Sequence, residues 1–312
     1  MTTKKFVPVM LTPFQDGKAI DYKILEDLIE FYLEAGAGGL FANCLSSEMY
    51  QLSKEEMLTS VSFIVQKVAG RVPIVATGTF PDSLENQAAF VKEMYGTGID
   101  CVIVITSLLA DETDAEAVFE ANVNQLLALT GDVPLGFYEC PVPYKRILRP
   151  DFLGKLVRTG RIKYHKDTSL TMDSVRAKIA ASKDADDFAL YDAYMVHAVD
   201  SMKAGSAGLS CIQGNYFPEL IVWLCNHYDD DSAEVDKVQQ FFAQNMGVMH
   251  DTYPASAKYI LEKRGLGITQ ICRNGSELRN TTDYDKLDTL FDQFKELAQE
   301  INLNVIAYEN KM

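Results

Sequence analysis

No apolar run in these 312 residues approaches the roughly 20 needed to cross a bilayer, and the opening MTTKKFVPVM lacks the apolar core of a secretory signal. Basic residues are also scarce. Lys and Arg total 29 against 44 Asp and Glu, a formal charge of −15, and the densest basic segment, residues 144–149, holds three cations. Such a surface repels phosphates, which argues against a nucleic-acid partner. The six cysteines (Cys44, Cys101, Cys140, Cys211, Cys225, Cys272) form no CxxC pair and no Cys/His metal spacing. They are expected to be reduced thiols in a cytoplasmic protein, most of them small buried apolar residues. The Asn-x-Ser/Thr sites at Asn274 and Asn280 carry no meaning without a secretory route. No glycine-rich phosphate loop follows the first apolar run, where the chain reads Thr12-Pro13-Phe14-Gln15-Asp16-Gly17. That omission disfavours an open, doubly wound dinucleotide-binding sheet.

What is present is a soluble-enzyme composition, 47% hydrophobic with a mean hydropathy of −0.05. Eight short β-branched or apolar runs recur, at 6–12, 38–43, 72–78, 101–106, 134–139, 161–166, 188–192 and 207–212. Helical periodicity lies between most of them: Leu25, Leu28, Ile29 and Tyr32 in one stretch, Met57, Val61, Ile64, Val65 and Val68 in the next. The second stretch opens Ser53-Lys54-Glu55-Glu56, a capping box. Strand and helix alternating about every thirty residues is the grammar of a parallel sheet, and eight such units suit a TIM (β/α)8 barrel of typical length ~250 residues. Beyond about residue 225 the pattern turns helical, at 241–248, 255–263 and 284–306, with polar loops at 229–234 and 274–283. The expected organisation is therefore an α/β barrel over residues 1–225 and a C-terminal helical subdomain over 226–312. There is no internal repeat and no low-complexity tract.

The sixth apolar run ends in YHKDTS, residues 164–169. Strand alternation places Ile162, Tyr164 and Lys166 on one face. If that face points inward, Lys166 enters the barrel mouth, where barrel chemistry sits, and desolvation lowers its pKa toward a free amine. A free amine condenses with ketones to an imine, an electron sink for making or breaking the adjacent C–C bond. Most lysines at a strand-to-loop junction are simply surface residues, and by spacing alone Lys163 is nearly as good a candidate. Tyr138 closes the neighbouring fifth run and offers a hydroxyl for proton transfer, or a packing ring. Ser46 and Ser47 follow the second run and offer hydroxyl and backbone N–H donors for a carboxylate, or ordinary turn chemistry.

Six segments, in order, resemble the dihydrodipicolinate synthase / N-acetylneuraminate lyase superfamily of class I, pyruvate-type aldolases: PVMLTPFQDGKAIDYKILEDLIEFYLEAGAGGLF, CLSSEMYQLSKEE, PIVATGTFPDSLENQ, FYECPVP, YHKDTS and GSAGLSCIQGNYFPEL. The resemblance spans about residues 4–300. It implies Lys166 as the Schiff-base lysine, Tyr138 as the proton relay, and substrate contacts from Ser46, Ser47, Thr168, Asp192 and Ser210. It implies no metal and no organic cofactor, and a homo-oligomer, dimer or tetramer. Three positions depart from the synthase pattern. Leu45 stands where the first of two loop hydroxyls is expected, Thr106-Ser107-Leu108-Leu109 replaces Thr-Pro-Tyr-Tyr, and Pro143 replaces a carboxylate-binding arginine, for which Lys145 or Arg146 could substitute. Asp192 lacks the flanking Gly and Glu of the sugar-acid lyase branch. The resulting expectation is a lyase or aldolase, or a related dehydratase, acting on pyruvate or another 2-keto acid with an aldehyde or sugar-acid partner. Leu45, Leu108 and Leu109 are expected to make the second-substrate side apolar. The alternatives are the synthase itself, or a barrel that binds keto acids without turnover.

Overall fold

The computed structural model describes residues 3–306; residues 1–2 and 307–312, the outer ends of the two expected domains, lie outside the described residues. All eight expected strands form: β1 (Lys5–Phe6), β2 (Leu40–Ala42), β3 (Ile74–Thr77), β4 (Cys101–Ile105), β5 (Leu135–Tyr138), β6 (Ile162–Asp167), β7 (Ala189–Asp192) and β8 (Gly208–Leu209). A helix follows each: α1 (Tyr22–Glu34), α2 (Lys54–Val68), α3 (Leu84–Tyr95), α4 (Glu116–Thr130), α5 (Pro150–Val157), α6 (Met172–Ser182), α7 (Ala198–Ala204) and α8 (Pro218–His227). The sheet runs β1-β8-β7-β6-β5-β4-β3-β2, every pair parallel. Beyond β1 the chain stays extended, and Val9 bridges Phe41 in parallel, with Met10 N–H donating to Phe41 O and Phe41 N–H to Pro8 O, both at 2.9 Å. These bonds close the sheet into a TIM barrel.

Local chemistry sets the helix starts. Asp21 accepts from the N–H groups of Lys23 and Ile24 to begin α1, and the expected reciprocal capping box of Ser53 and Glu56 begins α2. The barrel interior is filled by Val7, Val9, Phe41, Val75, Ile103, Ile105, Tyr138, Tyr164 and Tyr191, whereas alternate strand residues pack outward under the helices. Gly136 makes room for this layer: a Cβ there would lie 2.7 Å from Ile103 Cδ1 and 2.8 Å from Tyr164 Cβ.

One expectation about β6 is corrected. Leu135 pairs with Ile162 but Gly136 pairs with Tyr164, so Lys163 is an extra residue in a bulge. The bulge resets the alternation: Ile162 packs in the outer layer, while Tyr164 and Lys166 face the interior. Lys163 reaches Asp187 at 3.3 Å on the surface.

The chain then forms α9 (Ala233–His250), α10 (Ala255–Lys263) and α11 (Thr281–Glu300). The expected division at residue 225 falls inside α8. Helix α9 begins earlier than its apolar periodicity, on a polar turn capped by Ser232. Helix α11 stops short of 306, because Asn302 takes a left-handed φ of 53° and Ile306 lies instead against Glu219 and Arg264. The helical region is bound to the barrel mouth through Glu48, which follows β2. Its Oε1 receives Lys258 Nζ at 2.9 Å, and its Oε2 receives the N–H groups of Arg273 and Asn274 at 2.5 and 2.9 Å. Lys258 and Glu48 are both fully buried.

Candidate active site

A cavity of about 620 Å³ opens at the C-terminal ends of the strands. Lys166 lies in its floor with 4% of its surface exposed. Its Nζ stands 4.5 Å from the centre of the Tyr138 ring and 5.8 Å from that of Phe41. Among the described residues no carboxylate lies within ion-pair distance of it, whereas the other buried lysines, Lys178 and Lys258, are paired with acids. Burial therefore lowers the Lys166 pKa from its ordinary value. The only groups acting against this are the thiols of Cys44, Cys140 and Cys211. Burial pushes the Cys140 thiol up, and that of Cys211 up to about 12, so both stay protonated at neutral pH. The composition showed these cysteines only as buried apolar residues; nothing in their spacing placed three of them around one amine.

Tyr138 is aligned by strand pairing, opposite Lys166 in the β5–β6 register. Its hydroxyl hydrogen-bonds Cys140, and burial holds its pKa well above the ordinary phenol value, so it is a neutral hydroxyl that can donate. The residues that follow these two, Glu139 and Asp167, point out of the barrel and share Lys178 of α6. Glu139 also accepts the N–H groups of Leu148 (2.9 Å) and Thr168 (3.0 Å). Burial would raise its carboxyl, but the His165 ring and the Lys178 ammonium outweigh that and hold it down at about 2. Glu139, His165 and Asp167 are close enough to resemble metal ligands, yet the Lys178 ammonium already occupies both carboxylates.

The remaining predicted residues divide. Ser46 and Thr168 line the cavity. Thr168 Oγ1 donates to Glu139 O at 2.5 Å, and its carbonyl receives Lys145 Nζ at 2.8 Å. Ser47, Asp192 and Ser210 do not line it. Ser47 Oγ donates to Met10 O at 2.6 Å and its N–H to Cys44 O at 3.0 Å, so neither donor is free for a carboxylate. Asp192 faces outward on β7, where it binds His197 Nε2 at 2.9 Å and the N–H of Tyr194, itself a cavity residue. Ser210 accepts from Tyr164 Oη at 3.0 Å below the floor. Lys145 reaches the cavity, but Arg146 does not: its guanidinium is held by Glu116, the Asp111 carbonyl and Tyr144 Oη over the Phe119 ring. Leu108 and Leu109 line a different groove with Ser107 and Tyr144, correcting their expected place beside the substrate. The apolar wall comes instead from Leu45, Val142, Leu170, Ile212 and Met246. Tyr50 and Tyr253 also line the cavity and had no signal in the strand pattern, since both arrive on loops.

The chain matches the sequence model of the dihydrodipicolinate synthetase family over residues 2–294. It is 26% identical over 264 residues to the 4-hydroxy-tetrahydrodipicolinate synthase of Hyphomonas neptunium, covering 83% of this chain and 88% of that one. It is 24% identical over 270 residues to that of Bacillus velezensis, covering 84% and 89%. The fold superimposes on the pyruvate complex of the chloride-inhibited dihydrodipicolinate synthase from Acinetobacter baumannii with a TM-score of 0.82 at 21% identity, over 95% of this chain and 99% of that one. A monomeric dihydrodipicolinate synthase variant gives 0.84 at 18% identity, over 94% and 98%. With the family model matched along nearly its whole length, a closed barrel and a buried unpaired lysine at its mouth, the chain belongs to the dihydrodipicolinate synthetase family.

Proposed function

We propose that this protein is a Schiff-base-forming lyase or aldolase, or a related dehydratase, acting on pyruvate or another 2-keto acid. The observation that carries the reading is Lys166, an amine buried at the barrel mouth with no acid to keep it protonated. Its Nζ lone pair attacks the C2 carbonyl, Tyr138 supplies the proton that lets the carbinolamine oxygen leave as water, and the iminium remains. The iminium acidifies the C3 hydrogens, and the enamine formed on their loss attacks an aldehyde. Run backwards, the same steps cleave the C3–C4 bond and release the keto acid. Tyr138 carries the proton to or from the C4 oxygen. Ser46 holds the C1 carboxylate through its hydroxyl and its N–H; Thr168 forms part of the wall.

The wall built by Leu45, Val142, Leu170, Ile212 and Met246 suits an aldehyde with an apolar body. Lys145 favours the alternative, a synthase of the kind named among the relatives, because its ammonium can grip a second carboxylate. We place the protein in the cytoplasm, supported by six unpaired, buried cysteines, and as a dimer or tetramer, which light scattering tests. Among the described residues no helix is long and apolar enough to cross a membrane.

Incubation with pyruvate and borohydride, followed by intact mass measurement, should give one covalent adduct that Lys166→Ala abolishes. A panel of 2-keto-3-deoxy acids graded in polarity should release pyruvate fastest from the apolar members. No adduct would refute the imine, and a preference for polyols would refute the apolar partner.

A further inference from the structure

We infer that Tyr253, on the loop between α9 and α10, is a positioning residue that turns Ser46 into a one-way hydrogen-bond donor toward the keto-acid carboxylate. The inference rests on the Schiff-base reading for its ligand, but its argument is one of hydrogen-bond direction.

The chain of bonds starts at Asn215, fully buried after β8. Its Nδ2 lies 2.9 Å from the Val9 carbonyl, and a carbonyl can only accept, so the amide nitrogen must face Val9. The same orientation lets Tyr32 Oη donate to Asn215 Oδ1 at 2.5 Å. The second hydrogen on Nδ2 then points at Tyr253 Oη, 2.5 Å away. Tyr253 Oη accepts there, so its own proton goes to its other partner, Ser46. Ser46 Oγ, occupied as an acceptor, has its hydrogen left to direct into the cavity that Ser46, Tyr253 and Lys166 line together. A donor with no freedom to reverse suits a carboxylate, which only accepts.

Leu45 gives this role its context, since the position beside Ser46 has no hydroxyl to orient it. The phenol is well suited to hold direction. Burial raises its pKa well above the ordinary value, so it keeps its proton across the working range.

The test is calorimetric binding of pyruvate and of methyl pyruvate to the full chain and to Tyr253→Phe, Ser46→Ala and the double variant, with thermal melting as a check on folding. Tyr253→Phe should weaken pyruvate about tenfold, within the range for a hydrogen bond to a charged group, and leave methyl pyruvate unchanged, because the ester lacks the anion. On the Ser46→Ala background the same change should add nothing. Equal loss for both ligands, additive effects, or unaltered pyruvate affinity would overturn the inference. Borohydride trapping in the parent reads the imine separately, so failure of the Schiff-base reading shows as a missing adduct with binding intact.

Discussion

Lys178→Met is a demanding perturbation because it acts one layer behind the cavity. Glu139, Asp167, His165 and Lys178 are all fully buried, so removing the ammonium leaves two carboxylates in low dielectric without their shared cation. Taking away one partner of a buried ion pair costs about 3–5 kcal/mol. Linkage gives a similar scale: Glu139 is held at about 2 against an ordinary 4.5, and at 1.36 kcal/mol per unit its ionised form contributes on the order of 3 kcal/mol. His165 supplies part of that and survives the substitution, so about 3 kcal/mol is the expected loss at pH 7. A depressed carboxyl stabilises the fold above its unfolded pKa and loses that stability as pH falls through the folded value. The variant, lacking the cation, protonates its buried acids at higher pH and is relieved earlier. The urea midpoints of parent and variant should therefore lie furthest apart near neutrality and converge as pH drops below about 4.5. Coincident midpoints at pH 7, or a gap constant from pH 7 to 4, would refute the reasoning. Because the same network precedes and follows Tyr138 and Lys166, adduct formation should slow in the variant as well.

Imine formation needs the free amine, and burial moves the Lys166 pKa below 10.5, so the rate of trapping should rise with pH and level off below that value. A rise that continues to 10.5 would mean a solvated lysine. The same shift has a stability consequence: the unfolded chain binds the proton that the folded one does not, so Lys166 contributes increasing stability as pH climbs from its folded pKa toward 10.5, and stability curves of parent and Lys166→Met should diverge accordingly. Tyr138→Phe keeps the ring and deletes the proton relay; kcat should fall about 10²–10⁴-fold while the adduct still forms slowly, and an unchanged kcat in steady-state assays would remove Tyr138 from the chemistry. Gly208→Ala should abolish soluble barrel, because φ there is +145° and a Cβ would sit 1.9 Å from Lys5 O on the β1–β8 seam; strain alone is about 1–3 kcal/mol, and a normal yield with a native circular dichroism spectrum would contradict it.

The eight strands were legible because the interior of a parallel barrel demands short, nearly continuous apolar runs, and Lys166 stood out as the one cation ending such a run beside a tyrosine-ended neighbour. The β6 bulge was hidden: a register shift adds one residue without altering the apolar composition, so Ile162 looked as inward as Tyr164. Glu139 and Lys178, far apart in sequence, each resembled surface charges until β5 and α6 brought them together. Ser47 read as a carboxylate donor because its neighbour is one; only the turn geometry reveals that Met10 and Cys44 already hold it. Tyr253 belongs to a loop whose destination no periodicity encodes.

That loop gives the protein a temporal dependence. A nascent chain halted near residue 227 would already contain every strand, the amine and Tyr138, yet it would lack Tyr253, and Glu48 would have neither Lys258 nor the amides of Arg273 and Asn274 to receive. Chemical competence thus arrives on the ribosome only after the last quarter of the polypeptide has emerged and folded back, which shields cellular ketones from a prematurely exposed amine.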